Sequence, residues 1–353
     1  MISQQSVDLD VCGGRLPTSI IVGSWVVHVF GCSVSPTGTA EVILTVDESG
    51  KPSPTIWRVQ HTQYPPPPEM TIGLSRYACE PLDVLIHGIR LRCEPERHLP
   101  NLGGTSGAMV ERERPWSLQL KLSDGRGNRT DSVLLLARRQ FPGPRLYCVG
   151  ATLYGIGRDW VPAMAKAWRG AGFATSIVFA RSQHECSAVE LATPGVVCET
   201  RSQVANLSDA KALRYFDQGI NQLVCLGYAR AASTEVLALG DLDEAPPSVD
   251  GAIDRALADV QHGPLAAVRL FFNADDACPA GVCPTSDPEW RALCLPRLGT
   301  KPFHPHWKSM VAPERVHDVS VHFWLGAPGY MNRGKDVWGT CLQVVTWPMN
   351  GTL

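Results

Sequence analysis

The sequence predicts an all-β, sandwich-like domain over residues 1–140 and, over 145–353, an α/β domain on a Rossmann-like, mainly parallel sheet. Three observations predict this. Before Phe141, short runs of alternating apolar and polar residues are separated by turn residues. Beyond it, apolar strand-like runs alternate with segments of helical spacing. Between the two lies Phe141-Pro142-Gly143-Pro144, which reads as a boundary. A length of 353 residues also exceeds one ordinary core.

In the first domain, Ile20 to Phe30 is rich in β-branched residues and reads as a strand pair. Val42 to Val46 ends at the turn signal Asp47-Glu48-Ser49-Gly50, and Thr55 to Val59 follows at hairpin distance. Asp83 to Cys93 is a further apolar run. Trp116 to Leu122 alternates cleanly, turns at Ser123-Asp124-Gly125, and resumes from Ser132 to Ala137. Pro65 to Pro68 forms a stiff loop.

In the second domain Leu146 to Leu153 is a strand. Asp159 then caps a helix with Trp160, Met164, Ala167 and Trp168 on one face, ended by Gly170-Ala171-Gly172. Thr175 to Ala180 and Val196 to Cys198 are strands. A helix from about Asp217 to Arg230 carries Ile220, Leu223, Val224 and Gly227. Val236 to Leu239 is a buried strand, a helix capped at Ser248 or Asp250 runs through Val260, and Ala266 to Phe272 is a further strand.

The formal net charge of -2 argues against a dedicated nucleic-acid binder. No stretch is long and apolar enough for a transmembrane helix, and Asp8 and Asp10 stand where a signal peptide carries basic residues. Twelve cysteines show no zinc-like spacing. Their even count fits disulfides, and buried free thiols fit equally well. With sequons at Asn128, Asn206 and Asn350 they lean towards a secretory lumen, and the missing signal sequence leans towards the cytoplasm.

The chemistry concentrates in two places. Asp241-Leu242-Asp243-Glu244 follows four apolar residues, at the carboxyl end of a predicted strand. In extended chain Asp241 and Asp243 face one side while Leu242 packs behind. Two hard carboxylates suit Mn²⁺ or Mg²⁺ with positions left for substrate phosphates. A solvated acidic turn has the same sequence. The second place is His306-Trp307-Lys308-Ser309-Met310-Val311-Ala312-Pro313, followed by His317 and His322. Imidazole ligates Mn²⁺ and a lysine neutralises a diphosphate, although each histidine alone is explained by local hydrogen bonds.

From Tyr147 to Trp324 the order of these features resembles glycosyltransferase family 92, a GT-A-type family. The matching pieces are Leu153-Tyr154-Gly155, the tryptophan-bearing helix after Asp159, a helix with Gln218, Cys225 and Arg230, the Asp-x-Asp-Glu segment, Lys308-Ser309-Met310-Val311-x-Pro313, and Val321-His322. The resemblance implies an inverting, metal-dependent transfer of galactose from a UDP-sugar donor to a glycan acceptor. It places Asp241, Lys308 and Gln218 at the donor, and Asp241, Asp243 and His322 at the metal. It also implies a Golgi-type lumen, and an accessory carbohydrate-binding role for the β-rich domain.

An inverting transfer needs a general base, and Asp275 and Asp276, beyond the strand ending at Phe272, are the candidates, with Glu244 and Asp287 as rivals. Ala245 stands where the family carries a bulky aromatic, and Asn273-Ala274 where it carries Phe-Gly, so the acceptor side departs from the pattern. Cys278 and Cys283 bracket that loop as a potential disulfide. The competing readings are a non-catalytic carbohydrate-binding protein on a degenerate transferase domain, and a metal-dependent nucleotidyltransferase or phosphohydrolase.

Overall fold

The structure, a computed structural model, describes residues 6–49, 69–96, 116–153, 157–202, 210–242, 258, 260, 267–272, 306–320, 323–327 and 335–338. The first ten strands are β1 (Ser6–Cys12), β2 (Thr18–Val22), β3 (Trp25–Val34), β4 (Ala40–Glu48), β5 (Thr71–Leu74), β6 (Tyr77–Cys79), β7 (Asp83–Val84), β8 (Ile89–Pro95), β9 (Ser117–Ser123) and β10 (Arg129–Pro142). They form one antiparallel sheet in the order β5-β9-β10-β1-β3-β4-β8-β6, with β2 on β3 and β7 on β8. The two ends of that order, β5 and β6, are consecutive in sequence and joined at Ser75-Arg76, so the sheet curls back on itself into a nearly closed barrel. Arg76 adopts φ +67° at this corner, and the amide of Ser75 donates to the Gln119 carbonyl at 2.9 Å.

Period-two alternation fills the barrel. In β9 Leu118, Leu120 and Leu122 are buried while Ser117, Gln119 and Lys121 are exposed. Val27, Val29, Val42, Leu44, Leu91 and Leu134 join these leucines in one core. Each such side chain, fully buried, contributes about 1.5–3 kcal/mol. Disulfides Cys12–Cys32 and Cys79–Cys93 lie within this sheet.

Beyond the barrel come β11 (Arg145–Leu153), α1 (Gly157–Gly170), β12 (Thr175–Ala180), α2 (Gln183–Ala192), β13 (Val196–Thr200), α3 (Ala210–Ala231), β14 (Val236–Gly240), β15 (Ala267–Phe272), β16 (His306–Val311), β17 (Val316–Ser320), β18 (Phe323–Gly326) and β19 (Lys335–Trp338). Seven of these strands form a second sheet, ordered β13-β12-β11-β14-β16-β15-β19. β13, β12, β11 and β14 run parallel. β16 then inserts antiparallel to both β14 and β15.

This corrects the expectation of a mainly parallel, Rossmann-like α/β fold behind a sandwich. Of the described residues 54% are in strands and 21% in three helices, and the largest unit is the antiparallel barrel. The strand–helix alternation is real from β11 to β14, but the parallel run of strands ends there, because β16 pairs antiparallel with β14 and β15. Alternating strands satisfy a sandwich and a barrel equally, and closure depends on the corner at Ser75-Arg76 rather than on periodicity.

α3 lies between the two sheets. Every residue from Asp217 to Ala229 is buried, as a helix covered on all sides requires. One core joins Leu9, Phe30 and Ile43 of the barrel to Ile220, Leu223 and Val224 of α3, and to Leu146, Leu237 and Leu239 of the second sheet. Glycines permit the close approach. A Cβ on Gly31 would lie 2.9 Å from Val224, and one on Gly219 would lie 2.4 Å from the His87 ring. The expected helix from Asp217 to Arg230 thus begins earlier, at Ala210. The helix after Asp159 also starts earlier, at Gly157. The predicted strand from Thr55 to Val59 lies outside the described residues, as does most of the helix expected before Val260.

Candidate functional site

The candidate site lies at the carboxyl ends of the four parallel strands, where each strand hands over to a polar residue. β12 ends before Arg181, β13 before Arg201 and β14 before Asp241. The buried middle of α3 faces this edge with Asp217, Gln218, Asn221 and Gln222.

Asp241 is gripped from three directions. Gln218 Nε2 donates to its Oδ1. Lys308 Nζ, on β16, donates to Oδ2 at 2.7 Å. The Tyr147 hydroxyl, on β11, donates to its backbone carbonyl at 2.6 Å. Lys308 is only 2% exposed and Asp241 20%, so the carboxylate is reachable while the ammonium is not. Tyr147 is held flat against Trp168 of α1, with ring centroids 4.0 Å apart and 15° between planes. The strand β14 places the residue, β11 fixes its backbone, and α3 and β16 fix its carboxylate.

The local backbone explains why α3 reaches this edge. β11 shifts register against β12 between Cys148 and Thr152. Gly150 lies in that irregularity, and a Cβ there would stand 2.9 Å from Gln218 Cγ and 3.0 Å from Gln222 Nε2. Asn221 Nδ2 donates to the buried Gly150 carbonyl at 2.9 Å and reaches Thr152 Oγ1 at 3.1 Å. The disulfide Cys148–Cys225 ties β11 to α3 one turn below Gln222. The amide of Gln222 is fully buried, and neither its oxygen nor its nitrogen has a hydrogen-bond partner.

A second polar group adjoins the first. Arg181 donates to Asp217, and burial pushes that carboxyl above the usual carboxylate range while Arg181 opposes the rise. Arg201 bridges three elements. Its Nε donates to Asn221 Oδ1 at 3.0 Å, its Nη1 to the Phe30 carbonyl of β3, and its Nη2 lies 3.4 Å from Glu199 Oε2. Burial also raises Glu199, with Arg201 and a 2.6 Å hydrogen bond from Tyr228 opposing.

Of the residues expected at the donor, Asp241, Lys308 and Gln218 therefore meet at one carboxylate. Asp243 and His322 of the metal set, the base candidates Asp275 and Asp276, their rivals Glu244 and Asp287, and the pair Cys278 and Cys283 lie outside the described residues. Among the described residues no group of three or more metal-ligating side chains forms. Asp241 is the one carboxylate of the expected metal set that is described, and both of its oxygens already accept hydrogen bonds. His317 does not join it, and instead pairs with Asp83 of β7 at 3.2 Å. Arg230 serves as an anchor, donating to the carbonyls of Pro313 at 3.1 Å and of Val316 and so fixing the chain that follows Lys308.

Sequence reasoning missed Tyr147, Arg181, Asn221 and Arg201. Each is a single polar residue at the end of, or inside, an apolar run, with no spacing motif. It also missed α2, although Ser182-Gln183-His184-Glu185 is a capping signal, and Ser182 Oγ does accept from the Glu185 amide at 3.2 Å. All eight cysteines among the described residues pair, as Cys12–Cys32, Cys79–Cys93, Cys148–Cys225 and Cys186–Cys198. Among the described residues no helix is long and apolar enough to cross a membrane. Comparison of the chain with protein-family models, with curated proteins and with solved structures finds no match.

Proposed function

We propose that this chain binds a nucleotide-activated sugar, with UDP as carrier, at the carboxyl ends of its four parallel strands, and transfers the sugar with inversion to a glycan hydroxyl. The observation that carries this reading is the convergence of Gln218 and Lys308 on Asp241, from an element 23 residues before it and one 67 residues after it. These are the three positions at which the family resemblance puts the donor. Asp241 is held rigidly enough to accept hydrogen bonds from a ribose. Lys308 carries a buried positive charge whose field would favour a diphosphate beside Asp241.

In the transfer, the acceptor oxygen attacks the anomeric carbon and the bond to the diphosphate breaks. The diphosphate leaves as UDP, and the acceptor proton passes to a carboxylate. Asp275 and Asp276 are proposed for that carboxylate. Asp243 and His322 are proposed, with Asp241, to hold Mn²⁺ or Mg²⁺. Such an ion would neutralise charge on the leaving diphosphate. The paired cysteines agree with an oxidising lumen as the place where the chain folds.

One observation favours a second reading. Lys308 and Asp241 already neutralise each other, and a buried ion pair of this kind also serves structure alone. In that case the domain is a non-catalytic carbohydrate-binding or structural unit. Calorimetry with UDP, with and without Mn²⁺, together with release of UDP from UDP-galactose, separates the two. The transferase reading expects Mn²⁺-dependent UDP binding that Asp241→Asn weakens at least about tenfold, or about 1.4 kcal/mol. A folded parent protein that binds no UDP under either condition sinks it.

A further inference from the structure

We infer that a polar cavity at the carboxyl end of α3 is a binding site for a neutral polyhydroxylated ligand about the size of one sugar ring. The cavity has a volume of about 190 Å³ and lies between strands β3 and β4 of the barrel and the last turn of α3. Liquid water occupies about 30 Å³ per molecule, so the space corresponds to roughly six waters, below the ~300 Å³ at which drug-sized pockets begin. Gln218 and Arg230 are twelve residues apart on one helix, which puts the cavity ~18 Å from the Asp241 site. Its assignment does not depend on the nucleotide reading.

The chemistry of the walls sets the ligand class. Two guanidinium groups, Arg92 and Arg230, are balanced by two carboxylates, Glu41 and Glu314. An anion gains from the first pair and is repelled by the second, and a cation meets the reverse, so a neutral molecule fits best. Hydroxyls line one wall: Ser35 Oγ lies 2.8 Å from Thr37 Oγ1, and Thr37 Oγ1 lies 3.4 Å from Thr39 Oγ1. Such groups donate and accept in turn, as the hydroxyls of a polyol require.

Two independent features mark the floor as built for a ligand. Glu41 is buried, and its Oε1 accepts no hydrogen bond although Arg230 Nη1 lies 3.6 Å away. A buried carboxylate oxygen left so is destabilising, and a ligand hydroxyl that reached it would supply the missing partner. The second feature is Gly227. Glycine inside a helix is destabilising against alanine. Gly219 offsets that by packing against the His87 ring. Gly227 instead faces the cavity's own polar groups: a Cβ there would lie 3.1 Å from Glu41 Oε1 and 3.9 Å from Ser33 Oγ. Its missing side chain keeps the floor open.

The test is ligand-observed NMR on the full chain with the methyl glycosides of glucose, galactose, mannose and xylose, and with sodium acetate and phosphate as anions. At least one glycoside should bind with a Kd tighter than about 10 mM. Gly227→Ala, which narrows the floor, and Arg92→Leu, which alters the partly exposed mouth, should each weaken it at least fivefold while leaving UDP binding as in the parent. Arg92→Leu decides the matter if Gly227→Ala does not fold. Binding of no glycoside, binding of the anions alone, or glycoside binding that Arg92→Leu leaves untouched would overturn the inference.

Discussion

The barrel interior and the layer around α3 are equally buried, yet they are filled with different chemistry. Inside the barrel, alternating strands deliver Val27, Val29, Leu44, Leu91 and Leu120 to a core that any half-buried β-sheet can make. Around α3 the buried set includes Asp217, Gln218, Asn221, Gln222, Glu199, Arg201 and Lys308. Some polar groups that the barrel buries turn towards this layer, Glu41 to Arg230, His87 to Ser320 and Ser33 to the Gly227 carbonyl, while Asp10, His28 and Asp124 pair within the barrel. Each of these groups costs desolvation that only good partners offset. The contrast teaches that the barrel stabilises by apolar burial, while the α3 layer carries costly groups whose retention asks for a further reason. Candidate sites at the middle and the carboxyl end of α3 supply one.

The contrast breaks most sharply at Arg201, which joins β3, α3 and β13 through Phe30, Asn221 and Glu199. Arg201→Met should destabilise the protein by about 3–5 kcal/mol, because it strands Glu199 as a buried charge. Adding Glu199→Gln should return part of that loss. Equilibrium urea unfolding of the two variants measures both. A cost below about 1 kcal/mol for Arg201→Met would mean that the layer is not held by its polar network, and the two regions would then differ in composition alone.

A second test of the comparison uses proton linkage where the barrel meets β17. Asp318 accepts from the Ile86 amide at 2.8 Å, and His87 lies 2.7 Å from Ser320 Oγ. Burial pushes Asp318 up to about 6 and His87 down to about 4. For Asp318, raised above its unfolded value of 3.8, the stabilising contribution is present below that value and is lost as pH rises through about 6. For His87, depressed from 6.5, the contribution is present above that value and is lost as pH falls through about 4. Each shift corresponds to about 3 kcal/mol, with opposite sign, so together they nearly cancel between pH 4 and 6.5. Arg90 and Asp83, which face Asp318, act on it with opposite signs. Chemical denaturation across this range should therefore give parent-minus-variant differences that slope in opposite directions for Asp318→Asn and His87→Gln. Two flat difference curves would show that neither group titrates differently on folding.

The same contrast explains what the sequence reveals. The barrel strands are legible because the period-two rule and turn residues act locally: Val42 to Val46 and Trp116 to Leu122 mark β4 and β9 within a few residues. Closure is not legible, because it depends on β5 and β6 meeting at the ends of a ladder whose other members lie far apart in sequence. Asp241 is legible from the apolar run before it, and Gln218 and Lys308 from the order of motifs shared with a known family rather than from any spacing. Arg201 has no local signature, since its partners Phe30, Glu199 and Asn221 come together only through the packing of three elements. The mainly parallel sheet was an extrapolation from β11 to β14, and the reversal at β16 follows residues that give no short-range sign of direction.

The smallest effect belongs to the end of α3, where the buried layer opens to solvent. The helix closes with the Ser233 amide donating to the Arg230 carbonyl at 2.9 Å and the Thr234 amide to the Ala229 carbonyl at 2.8 Å, the pairing of a Schellman motif. That motif needs a left-handed residue, and here a serine fills it at φ +53°. An L-residue there carries a strain of roughly 1–2 kcal/mol, which glycine would remove while gaining entropy in the unfolded chain. Ser233→Gly should therefore stabilise the protein by about 0.5–1 kcal/mol in thermal or urea unfolding. Because Ser233 is exposed, the gain should leave the Arg201 network and UDP binding unchanged. A loss of stability would show that the serine side chain is itself held at the rim of the polar cavity, and that the layer's dependence on polar contacts extends to the last residue of the turn.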